Sequence, residues 1–190
     1  MIVEQTAIQD VLLITPQAFT DERGCFVELY QLRRYQEFAG IDCEFVQSNF
    51  CRSNHGVLRG LHYQLPHPQG KLVWATQGEI YDVAVDLRSE SATFGQWVAA
   101  TLTAESRQQI YVPPGFAHGY CVTSETAEVN YMCTDFYHPE GQHSLIWNDP
   151  QLSIPWPVES PLLSPKDLQA LTLDQTPHFH AEDLQPVALS

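Results

Sequence analysis

The chain has 190 residues, 44% of them apolar and 11% aromatic, with 13 prolines. That suffices for one folded domain with a sizeable core and is unlike either a disordered chain or a plain helical bundle. Nine Lys plus Arg stand against 23 Asp plus Glu, a formal net charge of −14, which excludes the basic footprint that nucleic acid or an anionic membrane surface requires.

The N-terminal segment MIVEQTAIQDVLLITP lacks a basic n-region, and its apolar run is short and interrupted. No stretch of about 18 apolar residues occurs, so a soluble intracellular protein is expected. RRYQEFAG (33–40) predicts a short helix closed by Gly40 as its C′ residue. Five cysteines, an odd number without a C-x-x-C pair, predict reduced, packed thiols rather than a disulfide framework or a structural zinc site. Along the chain, period-2 patterns separated by turn residues dominate. GEIYDVAVDLR (78–88) puts Tyr81, Val83, Val85 and Leu87 on one face and Ile80, Asp82, Ala84 and Asp86 on the other. GQWVAATLT, QQIYVPP, HGYCVTS, AEVNYMCTDFY and SLIWND read as further strands, with breaks about every 8–12 residues, the spacing of an all-β sandwich or barrel. SPKDLQAL (164–171) predicts a second short helix, with Ser164 as N-cap and Pro165 at N1. The expectation is one β-domain over 1–173, with short helices near its ends and a polar surface tail over 174–190.

The stretch VLRGLHYQLPHPQGKLV (57–73) places Arg59, His62 and Lys71 among Val57, Leu58, Leu61, Leu72 and Val73. A lone His there would be an ordinary core histidine. In a regular strand Arg59 and His62 point to opposite faces, but a bulge at Gly60 would bring them to one. PPGFAHGY (113–120) adds His118 after a Pro-Pro-Gly turn, and two such histidines suit the mouth of a small β-barrel. A metal site there would call for several histidines and a carboxylate at tight spacing; the one His-x-His, His178 and His180, sits in the polar tail. Acid/base chemistry remains: an imidazole takes a proton, a cation stabilises the negative charge, and a tyrosine returns a proton. With eight tyrosines, composition does not choose one. Tyr131 and Tyr137 share strand parity.

DERGCFVE (21–28), FVQSNFCRS, VLRGLHYQ, GKLV, TFGQW, VPPGFAHGY, YMCTDFY, WNDPQLSIPWP and LSPKD, in that order, resemble the dTDP-4-dehydrorhamnose 3,5-epimerase family over about residues 2–170. The resemblance implies a cupin-type jelly-roll β-barrel without metal or other cofactor, acting on a dTDP-sugar. It makes His62 the general base with Asp167 as its partner, Tyr131 the general acid on the opposite face of the sugar, and Lys71 the stabiliser of the enolate oxygen. Arg23, Glu28, Gln47, Asn49, Arg59, His118 and Lys166 would hold substrate, and Tyr137 would stack on the nucleotide base. It further implies a homodimer with exchanged N-terminal strands, in which Arg23 and Glu28 serve the neighbouring subunit. An acidic contact of the family falls near Gln142, with Glu140 two residues away, and stays unassigned.

On this resemblance four of the nine cations (Arg23, Arg59, Lys71, Lys166) fall at ligand or enolate positions, enough local field for a diphosphate in an acidic protein. Three alternatives stay open at this level. One is an enzyme inverting only C3 or only C5 of a related nucleotide sugar, and another is a non-catalytic nucleotide-sugar-binding cupin. The third is a metal-dependent cupin oxygenase using His62 and His118.

Overall fold

Alternation of side chains needs two layers to bury it, and the chain supplies them. The computed structural model describes residues 1–184. Its strands are β1 (Ile2–Gln5), β2 (Leu12–Thr15), β3 (Ala18–Asp21), β4 (Gly24–Val27), β5 (Gln47–Asn54), β6 (Leu58–Gln64) and β7 (Lys71–Gln77). They continue as β8 (Glu79–Asp86), β9 (Trp97–Thr103), β10 (Gln109–Val112), β11 (Phe116–Val122), β12 (Thr126–Cys133) and β13 (Gln142–Ser144). One antiparallel sheet runs β1-β2-β10-β7-β12-β5, a second runs β13-β6-β11-β8-β9, and β3-β4 form a separate hairpin.

The two large sheets face each other across an apolar layer that includes Val73, Ile80, Ala84, Leu102, Ile110, Phe116, Val122 and Val129. They remain two sheets rather than one closed barrel, an all-β jelly-roll sandwich as expected. The alternation of β8 works as read. Ile80 and Ala84 enter this inter-sheet layer, while Val83, Val85 and Leu87 join a cluster on the outer side of the five-stranded sheet. The outer side of the six-stranded sheet is covered by α1 (Leu32–Ala39) and the segment after it, through Tyr35, Ile41 and Phe45. Gln31 caps α1 by accepting from Arg34 N–H, and Gly40 closes it at φ 66° with its N–H reaching Gln36 O and Tyr35 O.

Three expectations need correction. Residues 164–171 do not form an α-helix; only a 3₁₀ turn, Asp167–Gln169, appears. Ser164 Oγ does accept from Asp167 N–H at 3.2 Å. The chain is then drawn off into a parallel bridge between Leu171 and Leu145, so sheet pairing overrides the helical start. The same bridge accounts for SLIWND, of which only Ser144 lies in a strand. The segment after 174 is not a plain surface tail. Phe179 is 1% exposed and fills the outer cluster beside Leu87, its N–H donating to Leu87 O. Tyr63 Oη donates to Pro177 O at 2.6 Å and meets Thr176 Oγ1 at 2.6 Å. One aromatic among polar residues is enough to fasten the strap. The rest of the expected tail, 185–190, lies outside the described residues. None of the described helices is long and apolar enough to cross a membrane.

Candidate active site

The two sheets part at one end around a cavity of about 610 Å³, within the size range of small-molecule sites. Strand register explains most of its lining. In β5, Gln47, Asn49 and Cys51 alternate onto one face and pair with Cys133, Tyr131 and Val129 of β12. On its other side β12 sets Cys133 opposite Lys71 of β7. All of these except Val129 line the cavity.

The opposite wall comes from β6 and β11. Arg59 pairs with Tyr120 and His62 with His118, so Gly60 and Leu61 together oppose Gly119 alone. This is the predicted bulge, and it puts Arg59 and His62 on the cavity wall together. The two glycines are required by close approach. A Cβ on Gly60 would lie 2.6 Å from Gly119 Cα, and one on Gly119 would lie 2.6 Å from Arg59 O.

Each histidine is backed by a buried carboxylate. His62 Nε2 lies 2.6 Å from Asp167 Oδ1; Asp167 is 2% exposed and its Oδ2 accepts from Ser164 Oγ at 2.8 Å. Burial pushes the Asp167 carboxyl up, but its bonds to His62 and Ser164 and the His62 charge together hold it below the ordinary range. A carboxylate accepting at Nε2 fixes the tautomer and leaves Nδ1 as the basic nitrogen of neutral His62. His118 Nε2 sits 3.0 and 2.9 Å from the two oxygens of Asp82, which is fully buried.

Lys71 is 9% exposed and donates to His62 O at 3.3 Å. Burial lowers its pKa, with Cys133 and Asp82 acting in the other direction. Tyr131 is pushed up to about 12, first by burial and then by Cys51 and Cys133, with Arg59 opposing. It therefore stays protonated well past neutral pH. Tyr137 lines the cavity beyond the end of β12, so strand parity is not what places it. Its N–H donates to Gln47 Oε1 at 3.0 Å and its Oη to Gln142 Oε1 at 2.6 Å.

Of the residues singled out in the sequence, His62, Tyr131, Asp167, Lys71, Gln47, Asn49, Arg59, His118 and Tyr137 all line this one cavity. Arg23, Glu28 and Lys166 do not. Arg23 is ion-paired with Asp21 at 2.5 Å and Glu28 with Arg34 at 3.0 Å, and Lys166 is exposed. Of the four cations expected at the site, the single chain brings Arg59 and Lys71 to the cavity. Sequence reasoning missed Asp82 as the partner of His118, although its place between Ile80 and Ala84 on a core-facing side of β8 was a signal. It also missed Tyr120, Gln64 and Gln69 in the lining. The Tyr120 hydroxyl is buried without a hydrogen-bond partner of ordinary length among the described residues.

A family model described as dTDP-4-dehydrorhamnose 3,5-epimerase matches residues 5–175. A curated relative of that name from Pseudomonas aeruginosa is 55% identical over 164 residues, 86% of this chain and 91% of that protein. Another from Neisseria gonorrhoeae is 52% identical over 92% of this chain, which spans only 53% of that longer protein. A solved structure, a dTDP-6-deoxy-D-glucose-3,5-epimerase from Legionella pneumophila Philadelphia 1 in complex with dTDP-4-keto-L-rhamnose, superposes with a TM-score of 0.90. It is 48% identical, with 98% of each chain covered.

Proposed function

The chain belongs to the dTDP-4-dehydrorhamnose 3,5-epimerase family, and from that premise we propose that it inverts C3 and C5 of dTDP-4-dehydro-6-deoxy-D-glucose to give dTDP-4-dehydro-L-rhamnose. The observation that carries this reading is the His62–Asp167 pair, 2.6 Å apart, on the wall of a cavity it shares with Lys71 and Tyr131.

The C4 ketone acidifies the hydrogens on both C3 and C5. His62 takes one of them, and Asp167 stabilises the imidazolium that forms. The enolate oxygen at C4 needs a fixed positive donor in a dry place, and buried Lys71 is suited to that. Tyr131 then returns a proton to the other face of the same carbon; once His62 has released its proton to solvent and Tyr131 has regained one, repetition at the second carbon completes the double inversion. A base and an acid of different kinds make sense here. A phenol held at about 12 keeps its proton until the enolate needs it, whereas the imidazole, tied to Asp167 through Nε2, presents its other nitrogen as the base.

Arg59, Gln47, Asn49 and His118 would hold the substrate and Tyr137 would stack on the base. Arg23, Glu28 and Lys166 would contribute from outside the single-chain cavity. For Arg23 and Glu28 a homodimer with exchanged N-terminal strands supplies the route. The hairpin β3–β4 supports it: it pairs with neither large sheet, and it exposes Phe19 at 58% and Phe26 at 69%, apolar surface suited to a second copy. A cytoplasmic location fits reduced cysteines and a nucleotide-sugar substrate.

The test is incubation with dTDP-4-keto-6-deoxy-D-glucose in D₂O, followed by NMR at C3 and C5. Deuterium at both carbons, with an L-configured sugar trapped by a downstream ketone reduction, is the expected result. Label at one carbon would replace this reading with a single-site epimerase. Binding without label would make the protein a nucleotide-sugar-binding cupin.

A further inference from the structure

Outside the cavity, one cluster of ligating side chains has no part in the chemistry above. His67 follows β6, in the turn before β7, while Asp135 and His138 lie after β12, separated by the i, i+3 spacing of DFYH. One ligand atom from each residue lies within 4.8 Å of the other two. His67 Nδ1 is 3.4 Å from Asp135 Oδ2, and the imidazoles of His67 and His138 stack at 4.1 Å with an interplanar angle of 18°. Both rings are partly exposed, with side-chain exposures of 38% and 30%, so they can turn and exchange ligands with solvent.

The two loops that carry these residues are tied together from below. The side chain of Gln64, 2% exposed, donates to His67 O and Phe136 O and accepts from His138 N–H. Gln69 Nε2 donates to Asp135 O at 2.8 Å. The backbone of all three residues is therefore fixed while their ligand atoms lie within 4.8 Å of one another. His67 adopts φ 68°, a conformation uncommon for a residue with a side chain, and it aims its ring at the other loop.

We propose that His67, Asp135 and His138 bind one divalent transition-metal ion of the zinc class at the rim of the cavity, away from the reacting groups. Two imidazoles and one carboxylate suit zinc, cobalt or nickel rather than magnesium or calcium, which prefer an oxygen shell. Bonds of about 2.0–2.2 Å to a tetrahedral ion put ligand atoms about 3.3–3.6 Å apart, so rotation of the half-exposed rings out of their stack closes the set. Water, or the exposed Glu140 carboxylate 3.7 Å from His138 Nδ1, fills the fourth position. Bound there, the ion clamps the loop carrying Gln64 and Gln69 to the loop carrying Tyr137 and Gln142, all four of which line the cavity. The ion is structural: it pins the rim and touches no reacting atom.

The experiment is titration of the chelator-treated full-length protein with Co²⁺ alone, read by visible absorption, and with Zn²⁺ alone, read by calorimetry. Saturation at one equivalent per chain is expected, with d–d bands of a nitrogen/oxygen site. His67→Ala and His138→Ala should each weaken binding by at least the roughly 10–100-fold that loss of an outer-shell partner costs. His180→Ala, which alters another exposed His/Glu pair, should leave it unchanged. No saturable binding, full binding by the His67→Ala/His138→Ala double variant, or loss of binding in His180→Ala would each overturn the proposal. Should a loop variant misfold, Co²⁺-induced shifts of the His67 and His138 ring protons in the unaltered protein decide the matter: shifts of both support the site, and their absence refutes it.

Discussion

The cavity wall and the N-terminal hairpin place charged groups in opposite ways. In the wall, His62 meets a carboxylate 105 residues away and His118 one 36 residues away, and both carboxylates are buried. On the hairpin, Arg23 finds Asp21 two residues away and Glu28 finds Arg34 six residues away, all at half-exposed or exposed side chains. Long-range buried pairs are held by the whole fold, and breaking one strands a desolvated charge. Local exposed pairs contribute little to stability and are free to change partner. The charged pairs of the wall are therefore made within one chain, whereas the exposed pairs of the hairpin leave its charges free to meet another partner.

The largest blow to this contrast should come from the wall. His62→Ala is expected to lower kcat/KM by about 10²–10⁴-fold and to abolish deuterium uptake at both carbons, measured by NMR in D₂O. Tyr131→Phe should keep uptake directed by His62 while impairing net inversion. Near-normal turnover in His62→Ala would mean that the base has been misassigned.

Lys71→Gln removes the enolate's donor and should cost about 10²–10³ in kcat. The pH profile sharpens this. Burial lowers the Lys71 pKa, while Tyr131 is pushed up to about 12, so on the alkaline side the lysine loses its charge first. The alkaline limb of kcat should therefore begin below the ordinary lysine range and persist in the exchange reaction of Tyr131→Phe. At the other end, the folded pKa of Asp167 is depressed. The stability it contributes is present above its unfolded value and lost as pH falls through the folded one. Asp167→Asn should flatten that acid-side loss in thermal melts.

The hairpin predicts a smaller effect of a different kind. Arg23→Ala should raise KM for the dTDP-sugar by about tenfold or more, the scale of one hydrogen bond to a charged group, with kcat little changed. Mixing Arg23→Ala chains with His62→Ala chains separates the two possible geometries. If hairpins exchange, each mixed dimer holds one intact site, and a component with the unaltered KM appears beside that of the remaining Arg23→Ala dimers. If Arg23 serves its own chain, no intact site forms and KM stays high.

How far the sequence showed this contrast depends on the range of the interactions. The Gly60 bulge was legible because parity, glycine and two charged residues within four positions conflict unless a residue is inserted. The faces of β8 were legible because the pattern is strict. The end of the chain was not: SPKDLQAL has a proper N-cap, yet Leu171 bridges to Leu145, a partner no local pattern announces. Phe179 was passed over as one aromatic in a polar stretch, although a single ring suffices to cover an exposed sheet face. Asp82 was seen but its partner was not, since pairing across β8 and β11 depends on register.

One fully buried hydroxyl in the wall, that of Tyr120, has no hydrogen-bond partner of ordinary length among the described residues, although Cys51, Ser53 and Arg59 lie around it. A buried donor left unpaired costs about 1–3 kcal/mol, and Phe keeps the ring without that cost. Tyr120→Phe should therefore raise the melting temperature of the free protein, by about 2–4 °C for each kcal/mol recovered in a chain of this size. If the hydroxyl waits for a substrate oxygen beside Arg59, the same change should weaken dTDP-sugar binding, measured by calorimetry, so that stability and affinity move in opposite directions. A fall in melting temperature would instead mean that the hydroxyl is already bonded through ordered water in the free protein. The wall would then be complete without substrate, and its difference from the hairpin greater still.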